Sequence, residues 1–176
     1  MTTTIIIPTL ETGRCILRAP KVSDLDIHAE FRASERARMV GGPNTRAWSF
    51  DQLSGVIGHW QMRGYGRWIV ADKITDAPLG LVGLFFPEDW PEPEIGWQVY
   101  ANAEGRGIGH EAAVAARNYA YDVLGWTTVI SLIRTDNLRS QALAKRMGCR
   151  PDGAFTHATY GTMEIWRHLS PGEVRP

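Results

Sequence analysis

The chain has 176 residues, 44% of them hydrophobic, and its 19 Lys and Arg residues balance its 19 Asp and Glu residues. This balance gives no reason to expect broad attraction to nucleic acid or to an anionic membrane. Cys15 and Cys149 are too few for a disulfide framework and lack metal-site spacing, and no segment reaches the about 20 apolar residues of a membrane span. We therefore predict one cytoplasmic domain over residues 1–176, with no metal site and no nucleic-acid or membrane partner.

The first part of the chain predicts one strand and two helices. Residues 14–19 (RCILRA) predict a short strand, and Ser23 could cap a helix that runs to about Arg32. After a Gly-Gly-Pro break, Ser49 offers an N-cap for a second helix that runs to about Arg63. The apolar residues at helical spacing in this second helix, which we expect in the core, are Leu53, Ile57 and Trp60.

The middle of the chain predicts antiparallel strands. Residues 67–72 (RWIVAD) and 78–86 (PLGLVGLFF) predict a hairpin across a short turn. The segment 87–94 (PEDWPEPE) has too many prolines for a sheet interior, so we expect a stiff, acidic loop there. Residues 94–100 interleave apolar and polar side chains and predict the next strand.

A crossover unit follows this strand. A helix over about 107–124 and a strand over 127–133 should return the chain so that the new strand runs parallel to residues 94–100. A further helix is predicted over about 137–147, and residues 160–168 supply at least one more strand. The order of elements predicts an α/β fold in which helices flank a mixed, mostly antiparallel sheet.

The loop GRGIGH at residues 105–110 joins the predicted strand to the predicted helix. Its glycines let a ligand approach the backbone, and the first amides of a helix lack partners, so the loop predicts a phosphate or diphosphate site. A purely structural turn could use the same glycines. Arg106 could add a positive charge, and His110 could contribute a ring nitrogen or merely begin the helix.

The same stretch argues against two nucleotide-binding motifs. The phosphate loop of nucleotide hydrolases needs Lys followed by Ser or Thr after its last glycine, and His110 and Glu111 stand there instead. A dinucleotide site would show G-x-G-x-x-G after an early buried strand, whereas this loop has G-x-G-x-G after several antiparallel strands. Nucleotide hydrolysis and dinucleotide binding are therefore not expected.

Residues 94–113, EIGWQVYANAEGRGIGHEAA, resemble the diphosphate-binding core of the GNAT superfamily of acetyl-coenzyme A dependent N-acetyltransferases. Residues 135–153, in which Asn137 and Ser140 precede a helix, are similar to the second cofactor segment of that family. The element order agrees over nearly the whole chain, and residues 94–113 especially resemble the branch of ribosomal-protein N-terminal alanine acetyltransferases. The resemblance implies a GNAT-like sheet with a coenzyme wedge between central parallel strands.

The resemblance also implies acetyl-CoA as cosubstrate and no metal. The backbone of the glycine loop would hold the diphosphate, and the strand before it would pair with the peptide-like pantetheine arm. Asn137 and Ser140 would line the thioester side, although both could instead be ordinary capping residues. The cofactor-binding residues that the resemblance implies are Trp97, Val99, Arg106, Gly107, Ile108, Gly109, His110, Asn137 and Ser140.

Two positions depart from the family pattern. Glu104 stands where members often have Gln or Arg, so side-chain help for an anionic ligand is in doubt there. Ala144 stands where many members have a tyrosine that protonates the leaving thiolate. Ser140 is therefore the leading candidate for acid or water-positioning group, with Tyr160 behind it, and Glu94 could act as a base through water. Tyr160 could instead only pack its ring, and Glu94 could be a solvated or ion-paired carboxylate.

The predicted reaction is direct acetyl transfer to a primary amine. At pH 7 an α-amine of pKa about 7.8 is about 14% neutral, whereas a lysine amine of pKa about 10.4 is about 0.04% neutral. Weak base machinery therefore favours a peptide or protein N-terminus, while an amine-bearing small molecule stays open. The alternative is a catalytically weak acetyl-CoA-binding sensor or partner-binding module, and the resemblance alone implies a homodimer.

Other charged and aromatic residues give weaker expectations. Arg32, Arg36 and Arg38 are mixed with acidic residues and predict a solvated helical surface, although an acidic partner could bind there. Trp48 and Trp90 lie near predicted loops and are pocket candidates. The remaining tryptophans lie in predicted helices or strands, where such rings usually fill core or interface space.

Overall fold

The computed structural model describes residues 4–174. Its strands are β1 (Leu10–Glu11), β2 (Cys15–Arg18), β3 (Arg67–Asp72), β4 (Pro78–Phe85), β5 (Glu94–Val99), β6 (Ile130–Arg134), β7 (Arg150–His157) and β8 (Gly161–Arg167). Its helices are α1 (Leu25–Ala33), α2 (Arg46–Arg63), α3 (Ile108–Asp122), α4 (Leu138–Arg146) and α5 (Pro171–Val174), with 3-10 turns at Val22–Asp24, Glu35–Val40 and Ala101–Ala103. Within this part of the chain, no helix is long and apolar enough to cross a membrane.

The strands form one 8-stranded sheet in the order β1-β2-β3-β4-β5-β6-β8-β7. Strands β5 and β6 pair in parallel, whereas the other neighbouring strands pair antiparallel. Helix α3 connects the two parallel strands and packs on β4 and β5. The predicted mixed, mostly antiparallel sheet flanked by helices is confirmed, and β7 is a strand that the sequence pattern did not separate.

Strands β5 and β6 separate soon after they begin. Their register contains a single residue pair, Glu94 with Ile130. Next to that pair, side chains span the gap: the Leu132 amide donates to the Glu94 carboxylate at 2.9 Å, and the Ser131 hydroxyl donates to the Ile95 carbonyl at 2.7 Å. Beyond it, this side of β5 is open to an amide-bearing ligand that adds as an extra strand. This gap between β5 and β6 lies between the parallel strands where the coenzyme wedge is predicted.

The predicted caps of the first two helices are wrong. Helix α2 begins at Arg46 because the Thr45 hydroxyl accepts the amide of Trp48, as an N-cap does. Ser49 lies inside the first turn, where its hydroxyl donates back to the Thr45 carbonyl at 2.9 Å. Ser23 lies within a 3-10 turn, so it does not cap α1.

Helix α2 buries two of its three predicted core residues, and a neighbouring residue takes the place of the third. Leu53, Val56 and Trp60 are buried, whereas Ile57 is only partly buried. These buried positions follow the i, i+3, i+7 spacing of one helix face. The Trp60 ring meets the Trp68 ring edge-on, with centroids 4.9 Å apart, which joins α2 to the sheet.

Arg32 does not lie on the predicted solvated surface. Its exposed fraction is 0%, and its guanidinium donates to the Val40 carbonyl at 3.0 Å and to the Asn44 side chain. Helix α1 packs against α2 and against the 3-10 turn at Glu35–Val40, which together enclose the end of α1. Sequence spacing alone could not show that these segments fold over Arg32.

Candidate active site

A cavity of about 550 Å³ opens at the wedge. Its wall comes from β5, from the start of α3, from α4 and from the 3-10 turn at Glu35–Val40. Tertiary folding therefore gathers into one wall most of the residues predicted to bind coenzyme: Trp97, Val99, Gly107, Ile108, Gly109, His110, Asn137 and Ser140.

The N-terminus of α3 presents backbone donors at this cavity. Gly107 precedes the helix with φ of 76°, in the left-handed region that favours glycine, and no side chain caps the helix. The amides of Ile108, Gly109 and His110 have no acceptor among residues 4–174. Because unpaired amides at a helix N-terminus suit a diphosphate, this turn fits the chemistry predicted from the loop.

Gly109 has a packing role that the sequence did not indicate. A Cβ atom at this position would lie 2.8 Å from Cγ2 of Val99 and 3.1 Å from Cδ1 of Leu143. A side chain would therefore displace β5 or α4 from α3. Backbone access for a ligand is only part of the reason for glycine here.

Arg106 lies outside the cavity wall. Its guanidinium donates to the Asn102 carbonyl at 3.0 Å, and its amide donates to the Ala103 carbonyl at 3.4 Å. The carbonyl of Arg106 accepts from Arg14 at 2.7 Å, and Arg14 also pairs with Glu111 at 2.8 Å. The backbone of Arg106 is thus already bonded, and Arg14 with Glu111 anchors the loop beside β2.

Three arginines that were not predicted to bind coenzyme line the cavity: Arg36, Arg139 and Arg146. Arg36 and Arg139 both form ion pairs with Glu104, from the 3-10 turn and from α4 respectively. Glu104 therefore sets one negative charge against two of these arginines, whose combined charge it only partly neutralises. An anionic ligand in this cavity would compete with Glu104 for their guanidinium groups.

A second cavity, of about 130 Å³, adjoins the first. The walls of the two cavities share Met39, Val40, Trp97, Gln98, Asn137 and Ser140. The predicted catalytic residues Glu94, Ser140 and Tyr160 all line the second cavity, and Ser140 belongs to both walls. Trp90 also lines it, as predicted for a pocket residue, whereas Trp48 lies in neither wall.

The family model of the acetyltransferase (GNAT) domain matches residues 14–150. The chain belongs to the GNAT acetyltransferases. It is 27% identical over 162 residues to the uncharacterized N-acetyltransferase YoaA of Bacillus subtilis (strain 168). The match covers 87% of this chain and 89% of that protein. This GNAT protein is accordingly an acyltransferase.

Two solved structures share the fold. The acetyltransferase from Agrobacterium tumefaciens str. C58 matches with a TM-score of 0.85 at 30% identity, over 96% of this chain and 98% of that one. RimL, a ribosomal L7/L12 α-N-protein acetyltransferase solved with coenzyme A, matches with a TM-score of 0.75 at 17% identity, over 92% of this chain and 98% of that one. The predicted resemblance to the GNAT superfamily is confirmed, and the fold is shared with RimL.

Glu94 of this GNAT domain is a buried carboxylate. It begins β5 with 8% of its surface exposed, and it accepts the Leu132 amide. Burial raises the pKa of Glu94, and the Leu132 amide and the nearby Arg67 cation oppose that rise. A raised pKa brings a carboxylate closer to the basicity needed for proton transfer near neutral pH. The open alternative of a solvated strand-edge carboxylate does not fit this burial.

Ser140 is held at the junction of the two cavities. The Asn137 side chain caps α4 by accepting the Ser140 amide at 3.2 Å, and the Trp97 indole N–H donates to the Ser140 hydroxyl at 3.1 Å. Because the indole can only donate, the hydroxyl proton of Ser140 stays available for another acceptor. Ala144, at the position of the family tyrosine, is fully buried and lines neither cavity.

Tyr160 lies in an aromatic group beside the second cavity. Its ring centroid is 5.7 Å from that of Trp90 and 4.8 Å from that of His157. His157 accepts the Tyr160 amide through Nδ1 at 3.2 Å, and its Nε2 bonds to Asp89 at 2.7 Å. Since Tyr160 does not line the first cavity, its position suits contact with an acceptor better than contact with a coenzyme thiol.

Sequence reasoning missed five polar residues of the second cavity, namely Gln52, Arg67, Gln98, Ser131 and Arg134. Gln98 is 8% exposed, and its side-chain oxygen has no hydrogen-bond partner among the residues described. The register aligns Arg67 with Gly83 and Gly96, which carry no side chain to fill that face of the sheet. The available signal for Arg67 was a charged residue at the start of a predicted strand that is otherwise mostly apolar.

Proposed function

We propose that this protein transfers the acetyl group of acetyl-CoA directly to a primary amine. The observation that carries the proposal is the meeting of two cavities at Trp97 and Ser140. Unpaired amides and arginines line the first cavity and suit a diphosphate, whereas the buried carboxylate of Glu94 lines the second and suits an amine. Two adjoining sites allow transfer without an acyl-enzyme, because both reactants are held together.

Different groups of the chain have different roles in the proposed reaction. Acetyl-CoA supplies an activated acyl group with a thiol leaving group. Glu94 accepts the proton of the amine, directly or through a water molecule, and the amides of β5 along the wedge stabilise negative charge on the carbonyl oxygen. Ser140, oriented by Trp97, donates a hydrogen bond to the departing sulfur, which leaves as a thiolate and takes its proton from solvent. A thiol of pKa about 8.5 needs little acid assistance, which suits a serine.

We further propose an α-amine as the acceptor, on a small molecule or at the N-terminus of a peptide or protein. The larger neutral fraction of α-amines and the fold shared with a ribosomal-protein α-N-acetyltransferase support this class. The proposal includes a single catalytic domain that works as a cytoplasmic homodimer without a metal.

A second candidate function is a coenzyme-binding sensor or partner-binding module with weak catalysis. The ion pairs of Glu104 with Arg36 and Arg139 favour it, because they place a carboxylate among the groups that would bind phosphate. The lack of a tyrosine at position 144 points the same way. In this case the coenzyme would bind without efficient turnover.

Thiol release from acetyl-CoA, with mass detection of the product, tests the two candidates. The acceptor panel contains N-terminal peptides, lysine peptides, polyamines, aminoglycosides and amino acids. We expect an acetylated α-amine. Tight coenzyme binding in calorimetry without any product would favour the sensor, and failure to bind coenzyme would refute both.

A further inference from the structure

Arg67 is a cation in the second cavity for which the acetyl transfer proposed above has no use. Among residues 4–174 its guanidinium has no hydrogen-bond or ion-pair partner, and its Cζ atom lies 4.3 Å from the centroid of the Phe85 ring. Desolvation lowers the pKa of Arg67 to about 10, so the group stays charged at neutral pH. The acidic side chain that acts on this charge is Glu94, which forms no ion pair with Arg67, so this partly buried cation can still take an anionic ligand as its partner.

Arg32, whose charge interacts with that of Arg67, adds a second cation near the same cavity. Its guanidinium bonds only to uncharged groups, the Val40 carbonyl and the Asn44 side chain. Glu94 is the one acidic side chain in the cavity wall among the described residues, and burial raises its pKa. The other basic residue of the wall, Arg134, is already paired with Asp136 outside the cavity. Positive charge therefore exceeds negative charge around this cavity.

A hydrogen-bond chain from Tyr100 through His28 to Gln52 leaves the NH₂ group of Gln52 as an uncharged donor in the same wall. Burial lowers the pKa of His28 to about 4, so its ring is neutral at pH 7 and carries one N–H. Its Nε2 lies 2.8 Å from the Gln52 oxygen, which can only accept, and its Nδ1 lies 2.8 Å from the Tyr100 hydroxyl. The proton is thus on Nε2 and Tyr100 donates to Nδ1. The Gln52 oxygen is occupied, and its NH₂ group remains as a donor at the cavity.

The hydrogen-bond donors and the acceptors of the second cavity come from different elements. The donors Gln52 and Arg67 come from α2 and β3, whereas the acceptors Glu94 and Gln98 come from β5. We propose that the acceptor substrate carries a carboxylate a few bonds from its amine, and that Arg67 and Gln52 bind this carboxylate. Such an acceptor is either a small amino acid or a peptide that begins with an acidic residue. This inference rests on the proposed function only in that the amine of the bound molecule is acetylated. Binding of the carboxylate does not require that reaction.

The first test needs no turnover. Saturation-transfer NMR compares propionate with its neutral isostere propionamide, with coenzyme A saturating so that the arginines of the larger cavity are occupied. We expect a signal for propionate that is several times that for propionamide. Arg67→Gln should abolish the difference, Arg67→Lys should retain part of it, and Arg46→Gln, which removes an exposed arginine paired with Asp26, should leave it unchanged.

The second test uses turnover with matched acceptors. The pairs are alanine with alaninamide, and peptides that begin with glutamate with peptides that begin with glutamine. A charge-assisted contact predicts that Arg67→Gln lowers the ratio of kcat/KM, acid over amide, by about 10- to 100-fold. Comparing this ratio between native protein and Arg67→Gln cancels the difference in amine basicity within each pair. The pair that shows the effect identifies the source of the carboxylate. Gln52→Leu should lower the same ratio severalfold.

The outcomes separate the two proposals. Equal NMR signals for propionate and propionamide on the native protein would overturn the carboxylate site, and this comparison does not depend on any variant folding. Propionate binding that is lost in Arg67→Gln, without product from any amine, would keep the carboxylate site and refute acetyl transfer. Product formation with the same acid-to-amide ratio in native protein and Arg67→Gln would keep acetyl transfer and overturn this site.

Discussion

Replacing Ser140 with alanine tests the group proposed to assist the leaving thiol. The hydroxyl lies in the walls of both cavities and accepts the Trp97 indole N–H at 3.1 Å, so its own proton is available. In the variant the departing sulfur loses this donor. The Ser140 amide remains bonded to Asn137, so helix α4 should keep its cap.

The size of the effect follows from the kind of hydrogen bond that is lost. A hydrogen bond to a charged group contributes about 1.5 to 3 kcal/mol, which corresponds to about a 10- to 150-fold lower rate of transfer. Coenzyme binding should change much less, because the amides of α3 and the arginines of the cavity hold the diphosphate. The orphaned indole N–H of Trp97 should cost some stability, about 1 kcal/mol.

Single-turnover acetyl transfer measures the chemical step, and calorimetry measures coenzyme affinity. Ser140→Thr keeps a hydroxyl and should retain most of the rate, while Trp97→Phe removes the orienting donor together with part of a ring that lines both cavities and should have an intermediate effect. Equal single-turnover rates for native protein and Ser140→Ala would remove Ser140 from the chemical step. A loss confined to coenzyme affinity would make it a binding residue.

Glu104→Gln should tighten coenzyme binding by about two- to fivefold in calorimetry, because it releases two arginines from a partly buried carboxylate; weaker binding would contradict this. Glu94→Gln should lower kcat by about 100-fold or more and remove one ionisation from the acid side of the pH-rate profile, where the native carboxylate becomes protonated. An unchanged profile would exclude Glu94 as the base. Burial lowers the pKa of His28 to about 4 and of His168 to about 3, so the folded state resists protons that the unfolded state takes up. Stability should be full above pH 6.5 and fall by about 2 kcal/mol per histidine by pH 5. In His168→Gln, urea denaturation should show about half of the total fall in stability that the native protein shows. A fall as large as that of the native protein would exclude a contribution from His168.

The sequence determined the elements around the wedge because their signals are local. Alternating polarity in residues 94–100, the glycines after them and a crossover helix together require a parallel strand pair beside a helix N-terminus. The resemblance then indicated which backbone and side-chain positions face a coenzyme. Most of those positions do share one cavity wall in the structure.

Positions whose role depends on distant partners could not be predicted in this way. The N-cap of α2 went to Thr45 instead of Ser49, since both residues satisfy the same local rule. Arg32 has the composition of a surface residue, yet packing of α1 against α2 buries it. The bonds of Arg106 to Asn102 and Ala103 withdraw it from the predicted ligand contact.

The sequence by itself therefore determined the family, most of the sheet and the glycine loop, because each follows from spacing over a few tens of residues. Only the tertiary structure decided the character of the acceptor cavity. Gln52, Arg67 and Glu94 come from three different elements, and the charges of Arg67 and Glu94 act on one another only once the sheet register and the packing of α1 and α2 bring the three side chains to one wall. Burial then lowers the pKa of Arg67 and raises that of Glu94, and the proposed binding of a carboxylate depends on these neighbours.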